Sequence, residues 1–321
     1  MEKRKLGNSG IEVAPLAFGG NVFGWTIDEV TSFKLLDGFV DAGFNLIDTA
    51  DVYSRWKEGH KGGESETIIG NWLKKSGKRD QVIIATKVGM DMGGDNKGLS
   101  KRHIFKSVED SLKRLQTDYI DLYQSHKDDP DTAQEETLEA YAELVKQGKV
   151  KAIGASNFSA ARLGEALDIS KKKGFPVYQT LQPQYNLYDR EVYEKELDPF
   201  CIEHGLGVIT YFSLASGFLT GKYRSENDFG KSARGGGMKR FLNDRGFSIL
   251  AALDEVSKQL NATQAQVALA WLIARKGITA PIVSATSLEQ LNDILKAIDL
   301  NLDAAAIDKL NNASAWQVKK A

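Results

Sequence analysis

Asn45-Leu46-Ile47-Asp48-Thr49-Ala50-Asp51-Val52-Tyr53 is the stretch whose reading decides the fold. Asn45 to Ile47 reads as a short buried strand, entered from an amphipathic helix that stops at Ala42-Gly43. Asp48 falls at the strand's C-terminal end, and Tyr53 lies in the loop beyond it. A carboxylate at a strand end with a phenol just after it is a candidate proton-handling pair. Working outward, the apolar run from Val82 ends in Lys87, and the run from Tyr119 leads out to His126. Asp, Tyr, Lys and His at the C-terminal ends of successive strands are what one face of a (β/α)₈ barrel gathers into a single pocket.

The flanking sequence repeats the same unit. Residues 3 to 18 read as an N-terminal β-hairpin turning at Gly7-Asn8-Ser9-Gly10, then an apolar strand, Ala14 to Phe18, that ends in Gly19-Gly20. Strands are expected at 45–48, 82–87, 119–124, 150–155, 177–182, 207–211 and 280–284. Helices are expected between them at 29–42, 64–76, 101–115, 132–147, 159–173, 195–204, 247–260 and 263–275, with a last pair at 288–297 and 304–312. The strands are continuous apolar runs, as expected when both faces are buried. Gly43, Gly148, Gly174, Gly205 and Gly277 fall just past helices, where a left-handed cap is common. The rival doubly wound sheet needs a glycine-rich loop after its first strand. Gly19-Gly20-Asn21-Val22-Phe23-Gly24 fits that spacing badly, and eight strands favour closure. The expectation is α/β: a single-domain (β/α)₈ (TIM) barrel over residues 1–321, with an N-terminal hairpin and extra C-terminal helices. Two loops, 59–63 and 213–243, interrupt the pattern after strands, and so on the same face.

Composition narrows the class. The chain has 321 residues, 42% hydrophobic and 26% charged, which is ordinary for a globular protein. Its net charge is −1 with Lys and Arg scattered, so no nucleic-acid footprint is seen. A single cysteine, Cys201, rules out an internal disulfide and suits a reducing compartment. No signal peptide or membrane-spanning run is evident, which makes cytoplasm the expected location. His60, His103, His126 and His204 lack metal-ligand spacing, and no metal is expected.

The four polar residues at the strand ends carry a resemblance. Position by position, Asp48, Tyr53, Lys87 and His126 are similar to the catalytic tetrad of the aldo-keto reductases, and the resemblance covers nearly the whole chain. It implies reversible hydride transfer between a nicotinamide cofactor and a carbonyl or alcohol substrate. Tyr53 would be the general acid/base. A free tyrosine has a pKa of about 10, and a neighbouring Lys87 ammonium, held by Asp48, would bring it down. His126 would donate to the carbonyl oxygen.

The resemblance also assigns a cofactor site. Ser156 and Asn157 in Ala152-Ile153-Gly154-Ala155-Ser156-Asn157-Phe158, with Gln182, resemble the residues that bind the nicotinamide carboxamide. A helix N-cap is the bland alternative for Ser156-Asn157. Tyr211 matches the aromatic that stacks on the ring. Ser213, Leu214, Ser216, Gly217, Leu219 and Lys222 match the stretch over the pyrophosphate, and Gly20 and Asn21 match further cofactor-contacting positions. Ser284, Thr286 and Gln290 correspond to the segment for the adenosine 2′-phosphate, where Ser287 would cap the helix. No Lys or Arg occurs from Ser284 to Ile294. The resemblance implies NADP(H), but this departure leaves NAD(H) open, with Lys222, Arg224, Lys231 and Arg234 as cations able to fold over from the long loop.

Trp25 and Trp56 are candidates for an apolar substrate wall beside Tyr53 and His126, and Arg55, His60 and Lys61 lie in the same loops. Two rivals stay open: a redox-sensing cofactor-binding subunit of the same fold, like the β subunits of potassium channels, and a cofactor-free isomerase on the same barrel. The substrate, the oligomeric state and the preferred direction are not readable.

Overall fold

The computed structural model describes residues 1–316. Strands β1 (Arg4–Lys5) and β2 (Glu12–Val13) pair antiparallel as the hairpin. Eight strands follow: β3 (Ala17–Gly19), β4 (Leu46–Asp48), β5 (Ile83–Val88), β6 (Ile120–Ser125), β7 (Val150–Ser156), β8 (Tyr178–Gln182), β9 (Gly207–Thr210) and β10 (Ile278–Val283). All pair parallel, and β10 closes on β3 to complete the barrel. The helices outside are α1 (Glu29–Asp41), α2 (Glu64–Ser76), α3 (Lys101–Leu115), α4 (Gln134–Lys146), α5 (Ala160–Lys173), α6 (Asp198–His204), α7 (Asp244–Leu260), α8 (Gln264–Ile273), α9 (Leu288–Leu295) and α10 (Ala304–Ala313).

The (β/α)₈ barrel expected from the sequence is therefore the fold. Helix α3 shows why the pattern was readable. Ile104, Val108, Leu112 and Leu115 recur at helical spacing and are buried against the sheet, and Ser100 caps the first turn by accepting from the His103 N–H. The hairpin is joined to the barrel's base. Leu6 and Val13 pack with the inward residues Ala17, Leu46, Ala85, Leu122 and Ile209. Arg4 donates to the carbonyls of Ile278 (2.9 Å) and Ile273 (3.0 Å). Asn45 lies outside the strand assigned to it. Its amide accepts from Ala14 N–H (2.9 Å) and donates to Glu12 C=O (3.0 Å), holding the hairpin's exit.

The structure differs from expectation in three further places. The helix read from Lys195 is preceded by a wide π turn, Tyr193–Leu197, before α6. Pro199 has no N–H for a carbonyl four residues back, so the regular ladder fails there. Helix α7 starts at Asp244, earlier than Phe247, because Asn243 caps it through the Gly246 N–H (3.0 Å). The aperiodic 213–243 stretch is three short 3₁₀ segments, Ala215–Thr220, Glu226–Lys231 and Gly235–Phe241. Among the described residues, no helix is long and apolar enough to cross a membrane.

Candidate active site

Alternation along the strands builds the site. Residues two apart point to the same side of a strand. Leu46, Ala85 and Leu122 fill the lower barrel interior, so Asp48, Lys87 and Gln124 stand directly above them, towards the C-terminal rim. On β8, Gln182 follows Thr180 in the same way. The interior thus changes from apolar to polar on approaching the rim, and all four of these side chains are buried.

Lys87 is the centre of this layer. Its ammonium donates to Asp48 Oδ2 (2.7 Å), Thr49 C=O (2.8 Å) and the Tyr53 hydroxyl (3.2 Å). Burial acts to lower its pKa, but Asp48 and Tyr53 outweigh that and the net direction is upward. It is a cation. His126 follows β6, with its backbone N–H on Val88 C=O (2.8 Å) and its ring edge-on to Tyr53 at 5.9 Å between centroids. Burial first, then the Lys87 charge, pushes its pKa well down, so the imidazole is neutral and keeps one N–H to donate. Tyr53 departs from the sequence argument. Burial pushes the phenol's pKa up and the Lys87 cation opposes it, yet the net direction is upward. The sequence reveals the neighbouring cation but not the depth of burial, which is the larger effect.

The expected ring-binding residues lie on the next strands and are linked to each other. Ser156 Oγ donates to Gln182 C=O (2.8 Å). The Asn157 amide donates to His126 C=O (2.9 Å) and Ser156 Oγ (3.0 Å), and its oxygen accepts from the Tyr211 hydroxyl (2.8 Å). Gln182 Nε2 donates to Asp48 Oδ1 (2.8 Å). The structure therefore brings Ser156, Asn157, Gln182 and Tyr211 beside Asp48 and His126.

At the β10–β3 seam, Asn21 donates through its amide nitrogen to Ser284 Oγ (2.8 Å), and its oxygen accepts from the Arg234 guanidinium. A side chain at Gly20 would meet Ser65 Oγ at 2.9 Å and Asp48 C=O at 3.1 Å, so only glycine leaves that approach open. Beyond β9, Ala215, Ser216 and Gly217 take three successive positive φ angles, after Ser213 and Leu214. Strained backbone of this kind is kept where its surroundings demand it and concentrates at functional sites. Leu219 is fully buried, and Lys222 lies over the Tyr223 ring at 5.2 Å. In the segment expected to face the adenosine, Thr286 gives both its N–H and its hydroxyl to Gln290 Oε1 (2.9 Å each), and Ser287 caps α9.

The loop cations divide. Arg224 forms a two-pronged pair with Asp254 (2.9 and 2.8 Å), and Lys231 pairs with Asp228 (2.7 Å). Arg234 turns instead to Asn21 and lies over the Trp25 ring at 5.2 Å, where its charge is felt at Tyr53. Trp25, Trp56 and Tyr53 meet edge to face, at 5.6 Å and 5.7 Å. Arg55 is directed away, to Asp91 C=O (2.8 Å), while His60 lies 3.9 Å from Glu64. Cys201 is buried, with its thiol pushed up to about 12 by burial.

Sequence reasoning missed two groups. Gln124 reads as one more apolar-strand residue, although its inward parity with Leu122 was available. Behind the tetrad, Glu66 accepts from Arg114 (2.7 Å) and Thr86 (2.6 Å). Asp51 is buried beside that pair, and burial together with Glu66 pushes its carboxyl up to about 8.

A buried lysine joining a carboxylate to a phenol, beside a histidine, is the arrangement the resemblance implied. The aldo/keto reductase family model matches residues 15–315. The chain belongs to the aldo/keto reductase family. Within it, this member is similar to "Uncharacterized oxidoreductase YrpG" of Bacillus subtilis (strain 168), 37% identical over 97% of this chain and 95% of that protein. "Aldo-keto reductase YhdN" of the same organism is 35% identical over 92% and 88%. "Probable voltage-gated potassium channel subunit beta" of Arabidopsis thaliana is 33% identical over 100% and 98%. Membership of this family makes the chain an oxidoreductase, and the family generally uses nicotinamide cofactors.

Proposed function

We propose that this aldo/keto reductase transfers hydride reversibly between a nicotinamide cofactor and a carbonyl or alcohol, with Tyr53 as the proton donor and acceptor. The observation that carries the reading is the Lys87 ammonium, fully buried and bonded at once to Asp48 and the Tyr53 hydroxyl. When bound, the cofactor supplies the hydride. The chain's own residues do the rest. His126 donates its N–H to the carbonyl oxygen and fixes it beside the phenol. Tyr53 delivers its proton to that oxygen as negative charge develops, and Lys87 stabilises the phenolate left behind. The upward direction at Tyr53 keeps the phenol protonated at neutral pH, which suits it to carbonyl reduction.

The residues present fit the cofactor. Asn157 and Gln182 offer amides to a carboxamide, Tyr211 an aromatic face, and Gly20, Asn21, Arg234 and the turn at Ser216 an anion-compatible approach. Trp25 and Trp56 form an apolar wall for the substrate. The segment from Ser284 to Ile294 has no cation, so NADP(H) is favoured only through Arg234 or Lys222, and NAD(H) remains a working cofactor. The test is steady-state reduction of aldehydes, ketones, sugars and quinones with both cofactors, beside Tyr53→Phe.

A second reading is favoured by the full-length likeness to a protein named as a potassium-channel β subunit. On that reading the chain binds cofactor and turns over slowly, as a redox sensor. Tight cofactor binding with negligible turnover on every substrate class would select it.

A further inference from the structure

The loop that carries Tyr53 runs from β4 to α2 and folds back on itself. Gly63 N–H donates to Tyr53 C=O (2.9 Å), and Asp51 N–H donates to Lys87 C=O (3.2 Å). Behind this loop lies a charged cluster that the hydride reaction does not use. Glu66, fully buried on α2, accepts from Arg114 Nε of α3 (2.7 Å) and from Thr86 Oγ1 (2.6 Å). The Arg114 side chain lies directly on Gly63. A Cβ there would sit 2.5 Å from Arg114 Cδ, 2.6 Å from Nε and 3.1 Å from Cζ, so only glycine admits it. Asp51 shares this space. It is 2% exposed, and its Oδ1 is buried with no partner among the described residues, as is the Tyr123 hydroxyl of β6. The charges that reach Asp51 are Glu66 of α2, Arg114 of α3 and Lys87 of β5, and the phenols of Tyr123 and of Tyr141 on α4 feel it in turn. An ionised carboxylate buried without donors is costly, so this setting fits a neutral acid.

We propose that Arg114 and Asp51 are positioning residues for Tyr53: Arg114, braced by Glu66, holds Gly63 on the Tyr53 carbonyl, and a neutral Asp51 leaves it there. The proposal rests on the reading of Tyr53 as proton donor and adds a control to it. When Asp51 loses its proton, it competes with Glu66 for one guanidinium. Arg114 is drawn off Gly63, and the phenol shifts with the loop. A misplacement of about 1 Å costs about 10²-fold in rate, so a partial shift is enough. The change falls in the working range, because burial and then Glu66 push the Asp51 carboxyl up to about 8, against Arg114 and Lys87. Tyr53 is raised from an ordinary value of about 10, so its own loss of a proton comes later on a pH profile.

The experiment follows two readouts on the full chain on either side of pH 8. Carbonyl reduction at saturating cofactor gives kcat. Tryptophan emission of the cofactor-free protein reports the loop without turnover, through Trp56, whose ring meets Tyr53 edge-on at 5.7 Å; Trp56→Phe identifies its share. Wild-type kcat is expected to fall about five- to tenfold through this range, with nucleotide Kd unchanged. Emission should titrate with the same midpoint. In Asp51→Asn, which imitates the neutral acid, both steps vanish; Asp51→Ser replaces it if the first folds poorly. Arg114→Lys keeps a cation for Glu66 but loses the Nε–Cζ plane against Gly63, and should lower kcat at neutral pH several-fold while leaving Kd alone. Steps that survive in Asp51→Asn, an emission step without a change in kcat, or wild-type kcat in Arg114→Lys overturn the latch and leave Tyr53 as proton donor. If wild type reduces no carbonyl, the Tyr53 reading falls, and emission that is flat across the range then overturns the latch as well.

Discussion

Replacing Lys87 by methionine tests the charge arrangement at its centre. The side chain keeps its bulk, but three donations disappear, at 2.7, 2.8 and 3.2 Å. Asp48, 2% exposed, is left with Gln182 as its remaining donor. A buried charge stripped of its partner costs about 3–5 kcal/mol. Lys87→Met is therefore expected to lose about 3–5 kcal/mol at pH 7. Activity should fall about 10²–10⁴-fold. The alkaline limb of the reduction profile should move to higher pH, because the cation that opposes the upward push on Tyr53 is gone. Urea unfolding at pH 7, with pH–rate profiles, measures both. A deficit below about 1 kcal/mol, with a limb superposable on wild type, would refute the reasoning.

Other outcomes follow from the same geometry. Tyr53→Phe should remove most carbonyl reduction, about 10²–10⁴-fold, with nucleotide binding nearly unchanged; more than half the wild-type turnover under chemistry-limited conditions would sink the assignment. Asp51→Asn should stabilise the protein at neutral pH. Asp51 holds its proton to about pH 8 while the unfolded chain releases it near 4. Stability contributed below pH 4 is therefore lost as pH rises through that window, by at most about 6 kcal/mol. Thermal melts from pH 4 to 8 should show a flatter slope in the variant, and equal slopes would remove Asp51 as its source. Thr286→Arg should tighten NADPH several-fold and leave NADH almost unchanged, since position 286 is exposed and an exposed ion pair is worth little. A wild-type preference for NADPH above about a thousandfold, over 4 kcal/mol, would show that the 2′-phosphate already has a strong ligand.

The barrel was legible because its elements carry period. Runs such as Ile104, Val108 and Leu112 can bury only one face of a helix, and strands such as Val82–Lys87 leave no polar face. Asp48, Lys87 and His126 were legible because strand ends on one rim must converge. What was not legible lacks local period. Residues 213–243 fold by contacts with distant elements, so nothing in them announces that Arg234 reaches Trp25 while Arg224 is committed to Asp254. The direction of Tyr53's proton affinity was hidden for another reason. It is a balance between burial and charge, and a sequence reveals only the second. Gln124 was overlooked because one polar residue in an apolar strand looks like an exception until its neighbour across the barrel is known.

The distribution of roles around the barrel has a modular consequence. Asp48, Tyr53, Lys87 and His126 all derive from β4 to β6 and their loops, whereas Ser156, Asn157, Gln182 and Tyr211 derive from β7 to β9. The chain between these groups turns at Gly148, which has φ +74 and open space around it. A cut there separates two fragments, one carrying the residues proposed for acid–base chemistry and the other most of those proposed to hold the ring. On that reading neither contains a whole catalyst. Co-expressed, they are expected to form a complementation pair whose regained turnover reports the docking of two half-barrels, and exchanging one fragment for a relative's is expected to alter ring affinity and proton chemistry independently.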